Sequence, residues 1–200
     1  MIGRQSQLDF GVEFGEEPTI VDSLPPPDQI HNGSLYIIKN YESRYLTHKI
    51  HKFAGKFIPE LPRWAISHYL SGRPREYVVD PFVGSGTTLV EASLLGVSSI
   101  GLDVDPLARL IAKVKTTPIS SRMLDDAVRE ILARLDRARG LAQPPAIATL
   151  AHWFRPDSVM DLVAIKGLVD EYRDHEDLHD FLIVCFSAII RRASNADNAG

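Results

Sequence analysis

The sequence predicts an α/β fold: two parallel strands with flanking helices, followed by a run of helices. Three observations carry this. Tyr77-Val78-Val79-Asp80 is a short apolar run that leads into a glycine-containing loop, and helical spacing begins near Thr87. Ser98-Ser99-Ile100-Gly101-Leu102 repeats the strand signature one helix later and ends in Asp103. After Pro118 only helical spacing remains. Strand–helix–strand–helix order implies a parallel pair joined by a right-handed crossover.

Residues 1–40 read as an N-terminal arm, partly extended. Gly, Glu and Asp dominate its start, Pro25-Pro26-Pro27 favours an extended segment, and Asn32-Gly33 signals a turn before a strand over Ser34–Lys39. Residues 41–118 read as an α/β half-domain. It opens on Arg44–Ile58, where bases and aromatics alternate as in a loop that faces something polar. Pro59 and Pro62 start a helix with Leu61, Trp64, Ala65, His68 and Tyr69 on one face, closed by Gly72 and Pro74. On that face Trp64 reads as core and His68 as a hydrogen-bonded core histidine. Val78 and Val79 suit a central strand covered on both faces. Thr87 or Thr88 is expected to cap a helix over 87–95, which Gly96 stops. Asp105-Pro106 is a capping residue followed by proline at the first helical position, so a helix is expected over 106–115.

Residues 119–200 read as helical. Leu124, Ala127, Val128, Ile131, Leu132, Leu135 and Ala138 keep helical spacing up to Gly140, and Pro144-Pro145 breaks it. A second helix from about 156 carries Leu162, Val163, Ile165, Leu168, Val169 and Tyr172, with Asp157 as its expected cap. A third, Asp177 to Ala193, is apolar almost all round and should be buried. No internal repeat is present.

Two hundred residues suffice for one domain with a real core, and 44% hydrophobic with 24% charged residues is an ordinary soluble composition. The net charge of −4 excludes a global basic signature for nucleic acid. Its distribution is uneven. Arg44, Lys49, Lys52, Lys56, Arg63, Arg73 and Arg75 face only Glu42 and Glu60 within residues 41–75, whereas residues 1–40 are net acidic. A local basic face fits a phosphate-bearing substrate or a solvated surface. The single Cys185 excludes an internal disulfide and fits a reducing, cytoplasmic setting. No signal peptide is visible, and the apolar run Phe181–Ile190 falls short of the ~20 residues of a membrane span.

Gly84 and Gly86 let the loop after the first strand turn tightly and approach a ligand. An acidic residue about 20 positions beyond such glycines, at the tip of the second strand, is where a nucleoside-binding α/β domain places its ribose-hydroxyl acceptor; here that residue is Asp103. A phosphate-binding P-loop is disfavoured because no Gly-Lys-Ser/Thr follows, and a dinucleotide site because Leu89 stands where the third glycine belongs.

Asp80-Pro81-Phe82-Val83-Gly84-Ser85-Gly86-Thr87 resembles the S-adenosylmethionine loop D-P-F-x-G-S-G-T of amino-methylating methyltransferases. Gly101-Leu102-Asp103-Val104-Asp105-Pro106 resembles their next element, and His51–Pro59 resembles the segment preceding the loop in DNA methyltransferases of the N4-cytosine/N6-adenine type. Trp153-Phe154 and Arg192-Ala193-Ser194-Asn195 resemble that family's helical insertion. The resemblance implies an incomplete Rossmann-like class I methyltransferase fold. It implies cofactor contacts from Lys52, Phe53, Phe57, Asp80, Pro81, Phe82, Gly84, Ser85, Gly86, Thr87, Asp103, Val104 and Pro106, with Lys56 as an alternative to Lys52. Asp80 is expected to take the amino group, backbone N–H groups around Gly84–Thr87 the carboxylate, and Asp103 both ribose hydroxyls. Val104 and Pro106 would press on the adenine, with Phe53 or Phe57 opposite.

The family's acceptor motif, [DNS]-P-P-[YFW], holds the exocyclic amine and stacks on a flipped base. It is absent: Pro25-Pro26-Pro27-Asp28 and Gln143-Pro144-Pro145-Ala146 lack the polar lead-in and the aromatic. No catalytic residue is therefore expected in this chain, and the two apolar strands would leave an open edge. The leading expectation is the cofactor-binding half of a DNA methyltransferase of a restriction-modification system. Its catalytic half would lie in a longer chain or a complementing subunit, and DNA would be the substrate. An RNA guanine-N2 methyltransferase fragment and a non-catalytic S-adenosylmethionine-binding subunit are the alternatives.

Overall fold

The structure is a computed structural model that describes residues 17–39, 45–53, 55–56, 58–70, 72–73 and 76–196. Phe57, Pro74, residues 1–16 of the acidic arm and the last four residues of the tail lie outside the described residues.

Two short strands, β1 (Thr19–Val21) and β2 (Tyr36–Ile38), pair in parallel. β2 lies inside the strand expected over 34–39; β1 is only three residues long and carries no alternation that marks it. Helix α1 (Glu60–Tyr69) buries Pro62 and Ile66, not the face expected from Leu61, His68 and Tyr69, which are exposed. Trp64 is half-buried, and its indole N–H donates to the Pro25 carbonyl at 2.7 Å, so it ties the proline segment to α1. The buried histidine is His48, in the 3-10 turn Leu46–Lys49, rather than His68.

β3 (Tyr77–Asp80) and β4 (Ser98–Gly101) run parallel, with Tyr77 opposite Ser98 and Asp80 opposite Gly101. Between them lies α2 (Thr87–Leu94), and α3 (Pro106–Thr116) follows. β4 sits hard against the loop and α2: a Cβ on Gly101 would come within 2.6 Å of Val83 Cγ2 and 3.0 Å of Leu89 Cδ2. The opposite face is open, with Tyr77, Val79 and Ile100 exposed by 58%, 51% and 49%. The strand is thus covered on one face, not on both.

The start of α2 also departs from expectation. Its N-cap is Gly86 in the left-handed region at φ 78°, with no side-chain cap, while Thr87 is buried. α3 begins as its sequence dictates: Asp105 accepts the Leu107 N–H at 2.8 Å and Pro106 occupies the first turn.

The helical part comprises α4 (Ser121–Leu141), α5 (Leu150–Trp153), α6 (Pro156–Asp170) and α7 (Glu176–Ala193). Asp157 does not cap α6; the N-cap is Arg155, and Asp157 pairs with Arg139 at 3.4 Å. Ala127, Val169, Leu178 and Leu182 form one core between α4, α6 and α7. Ile111, Val114 and Val184 form a second, joined by Ile50, Phe53, Leu107, Leu110 and Phe181. α7 belongs to both. It was expected to be buried all round, but only Leu178, Leu182 and Val184 are; most of its remaining apolar side chains are half-buried. Among the described residues no helix is long and apolar enough to cross a membrane.

Candidate functional site

The loop between β3 and α2 is folded by its own backbone. The Asp80 carboxylate accepts the Phe82 N–H at 3.1 Å. The ladder continues past the strands, with Leu102 N–H donating to the Asp80 carbonyl at 2.8 Å and Val83 N–H to the Leu102 carbonyl at 2.9 Å. The loop then turns through Gly84 at φ 48° and Gly86 at φ 78°. A Cβ on Gly86 would stand 2.8 Å from Ala112 Cα, so α3 packs directly on the glycine.

Asp103 closes the loop against the tip of β4. One carboxylate oxygen accepts the Gly84 N–H and the other the Asp105 N–H, each at 2.9 Å. These two donors, Asp105 first, hold its carboxyl below the ordinary aspartate value, and the nearby Arg109 charge adds to them. Arg109 donates to the carbonyls of Asp103 and Val104 at 2.6 and 3.2 Å, fixing the residues beyond the strand. An ionised carboxylate offers about four acceptor sites. The Gly84 and Asp105 bonds leave part of that capacity, so Asp103 keeps room to accept from a ligand hydroxyl.

Around this carboxylate stand apolar groups without apolar cover. Phe82 is 86% exposed and Val104 96% exposed. Pro81 and Pro106 are exposed as well. The Phe53 ring packs on Gly84, where an added Cβ would lie 3.3 Å from Phe53 Cε1. Lys52 and Lys56 are exposed next to Phe53 in sequence, and Lys56 donates to the His48 carbonyl at 3.2 Å. Ser85 and Thr87 are buried, so they shape the turn from inside. The N–H groups of Gly84 and Gly86 are spent on Asp103 and on the Val83 carbonyl. Asp80, Phe82, Gly84, Asp103, Val104 and Phe53 are thus brought to one end of the β3–β4 pair.

A family model described as DNA methylase, of the N6/N4 type, matches residues 25–113, which contain this whole arrangement. Over these residues the chain is similar to the S-adenosylmethionine-dependent N4/N6 DNA methyltransferases. S-adenosylmethionine is the cofactor of this family. The Type II methyltransferase M.MvaI of Kocuria varians is 30% identical over 189 residues, 90% of this chain and 41% of the relative. M.MjaII of Methanocaldococcus jannaschii is 40% identical over 86 residues, 42% of this chain and 16% of the relative. M2.DpnII of Streptococcus pneumoniae is 42% identical over 62 residues, 30% of this chain and 23% of the relative. The chain therefore spans about two fifths or less of the length of each of these relatives. No solved structure matches it significantly.

The methyltransferase cofactor fits the residues present. Asp103 keeps room to accept from a ligand hydroxyl, Phe82 and Val104 offer exposed apolar plates, and Gly84 leaves room only for a backbone under the Phe53 ring. Sequence reasoning missed the residues that hold this end together. Glu91 of α2 is fully buried and receives hydrogen bonds from His48 Nε2 and Arg63 Nε, both at 2.8 Å, and from the Tyr45 hydroxyl. Burial alone would raise its carboxyl; the three hydrogen bonds and the Arg63 charge outweigh that and hold it below the ordinary value. Burial, then the bond to Glu91, pushes the Tyr45 phenol up. The only signal was a lone acid between Val90 and Ala92 in an apolar stretch, since an unpaired carboxylate is almost never buried. Lys115 is buried without a hydrogen-bond partner for its amine among the described residues; burial, with Lys56 nearby, brings it down to about 8.

Proposed function

We propose that this chain is the cofactor-binding part of a site-specific DNA methyltransferase of a restriction-modification system. The complete protein would methylate the exocyclic amine of cytosine (N4) or adenine (N6). When bound, S-adenosylmethionine supplies an electrophilic methyl on a positively charged sulfonium. Asp103 accepts the two ribose hydroxyls with the acceptor capacity that Gly84 and Asp105 leave free. Val104, Pro106 and Phe82 cover the adenine. Phe53 closes the other side, and Lys52 of the same segment adds charge near the cofactor's carboxylate. Asp80 takes the amino group, and the Pro81–Thr87 loop, shaped by Gly84, Ser85 and Gly86, faces the carboxylate end. In this reading residues 41–118 are the cofactor half-domain and 119–200 a helical insertion. The observation that carries it is Asp103, ionised and held by the glycine loop beside two exposed apolar side chains.

The acceptor pocket is assigned to the rest of a longer chain or to a complementing subunit. Two observations support this: no [DNS]-P-P-[YFW] occurs in the sequence, and the apolar face of β3 and β4 stands uncovered among the described residues. Calorimetric titration with S-adenosylmethionine tests the core of the proposal. Saturable binding is expected, and Asp103→Ala should weaken it by about tenfold or more, the scale of a lost charged hydrogen bond. Absence of binding, even with the complementing part present, would refute it. A second reading, a non-catalytic cofactor-binding subunit, is favoured by the missing acceptor motif. It predicts cofactor binding with no methylated cytosine or adenine detected by mass spectrometry after the complement is added.

A further inference from the structure

Phe154 and Ser194 form an antiparallel bridge that joins the end of α5 to the end of α7. Asn195 clamps the join: its N–H donates to the Trp153 carbonyl at 2.6 Å and its side-chain amide to the His152 carbonyl at 3.2 Å. The seam is therefore fixed in shape although every side chain argued from below is exposed. Trp153 is 48% exposed and meets the His152 ring edge-on at 4.7 Å. Arg155 flanks the bridge on one side, Arg191 and Arg192 on the other.

The charges are the informative feature. The chain is net −4, and two arginines of α4 are paired: Arg134 with Glu130 and Glu171, Arg139 with Asp157 and Asp161. Arg155, Arg191 and Arg192 have no ion-pair partner among the described residues, and all three lie within three residues of the antiparallel join. Like charges held together on an acidic protein lack an internal purpose and suit an external polyanion.

Their place in the fold says which end of the molecule they serve. α7 runs antiparallel to α3: Asp180 pairs with Lys113 at 2.6 Å, Val184 packs with Ile111, and the Ser187 hydroxyl lies 3.3 Å from His51 Nε2. Arg191 is four residues on, about 6 Å further along the axis at 1.5 Å per residue. That is the end where Pro106 starts α3 and Asp103 closes the glycine loop. The seam thus points to the same side as the cofactor residues.

We infer that this seam is a DNA-contacting face, in which Arg155, Arg191 and Arg192 neutralise phosphates and Trp153 packs its ring on an adjoining deoxyribose. The inference rests on the DNA methyltransferase reading and adds where this chain itself touches the duplex. The test measures binding of the 200-residue chain, saturated with S-adenosylmethionine, to a labelled duplex over a series of salt concentrations. Each Arg→Ala substitution should lower the slope of log affinity against log salt by about 0.9, one phosphate contact's worth. Arg191→Lys should keep the slope. Trp153→Ala should weaken binding about fivefold with the slope unchanged, since it removes contact area and no charge. Arg137→Ala, at an exposed arginine on α4 without an ion-pair partner among the described residues, should change neither. An unchanged slope in the triple arginine variant overturns the inference. So does an equal drop in Arg137→Ala, or no duplex binding by a chain that still binds S-adenosylmethionine. Loss of cofactor binding by the unaltered chain would instead count against the function proposed above.

Discussion

Glu91 has no solvent exposure, and its charge is met by groups from outside its own helix. Arg63, one of them, is about half exposed, so solvent screens part of that pairing. Replacing Glu91 with Gln removes the charge while keeping an acceptor, and should cost about 2 kcal/mol in urea unfolding. The pH dependence follows from the direction of its shift. A carboxyl lowered in the folded state contributes stability that is full above its ordinary value of 4.5 and lost as pH falls through the lower folded value. Stability measured from pH 7 down to 3 should therefore fall less steeply in Glu91→Gln than in the unaltered chain. The glycine loop and Asp103 were legible in the sequence because the residues that carry them sit close together: Gly84 and Asp103 are 19 positions apart. Glu91 was not, because its partners are 28, 43 and 46 positions away, and no local pattern marks them.

At the scale of the element, α3 shows a helix that local sequence determines, and α7 one that it does not. Asp105 caps α3 through the Leu107 N–H, and the same turn carries Asp103. Asp105→Ala should cost about 1 kcal/mol in thermal or denaturant unfolding. It should also weaken cofactor binding, because the Asp105 backbone lies in the turn that holds the Asp103 carboxylate. A purely local loss of helix stability, with cofactor affinity unchanged, would separate the cap from the site. α7 misleads because its composition reports how apolar it is and not how many neighbours it has. It packs on α3 through Phe181 and Val184 and on the α4–α6 side through Leu178 and Leu182, and Ile189 stays exposed. The start of α2 misled for a different reason. Thr87 and Thr88 are good capping residues, but the left-handed turn at Gly86 buries Thr87 and leaves the capping position to a residue without a side chain.

At the scale of the whole molecule, the open sheet face decides behaviour. Tyr77, Val79 and Ile100 form an apolar surface on a two-stranded sheet, which is marginal by itself and relies on α2 and its neighbours behind it. The isolated chain should bind the dye ANS, and adding the complementing part should quench that fluorescence; an isolated chain without ANS binding would mean that this face is covered in solution. The separation of contacts along the chain also sets an order of events during folding. The β3–β4 register and the Gly84–Asp103 bond close loops of about twenty residues, whereas His51 and Ser187 meet across 136. Short loops close first because their entropic cost is lower. The methyl-donor end should therefore be formed in the folding transition state, and the α7 clasp should come later. In stopped-flow experiments Gly101→Ala should slow refolding, while Ser187→Ala should mainly speed unfolding. A chain emerging from the ribosome would thus shape its small-molecule cradle well before the arginine seam at the end of α7 is in place.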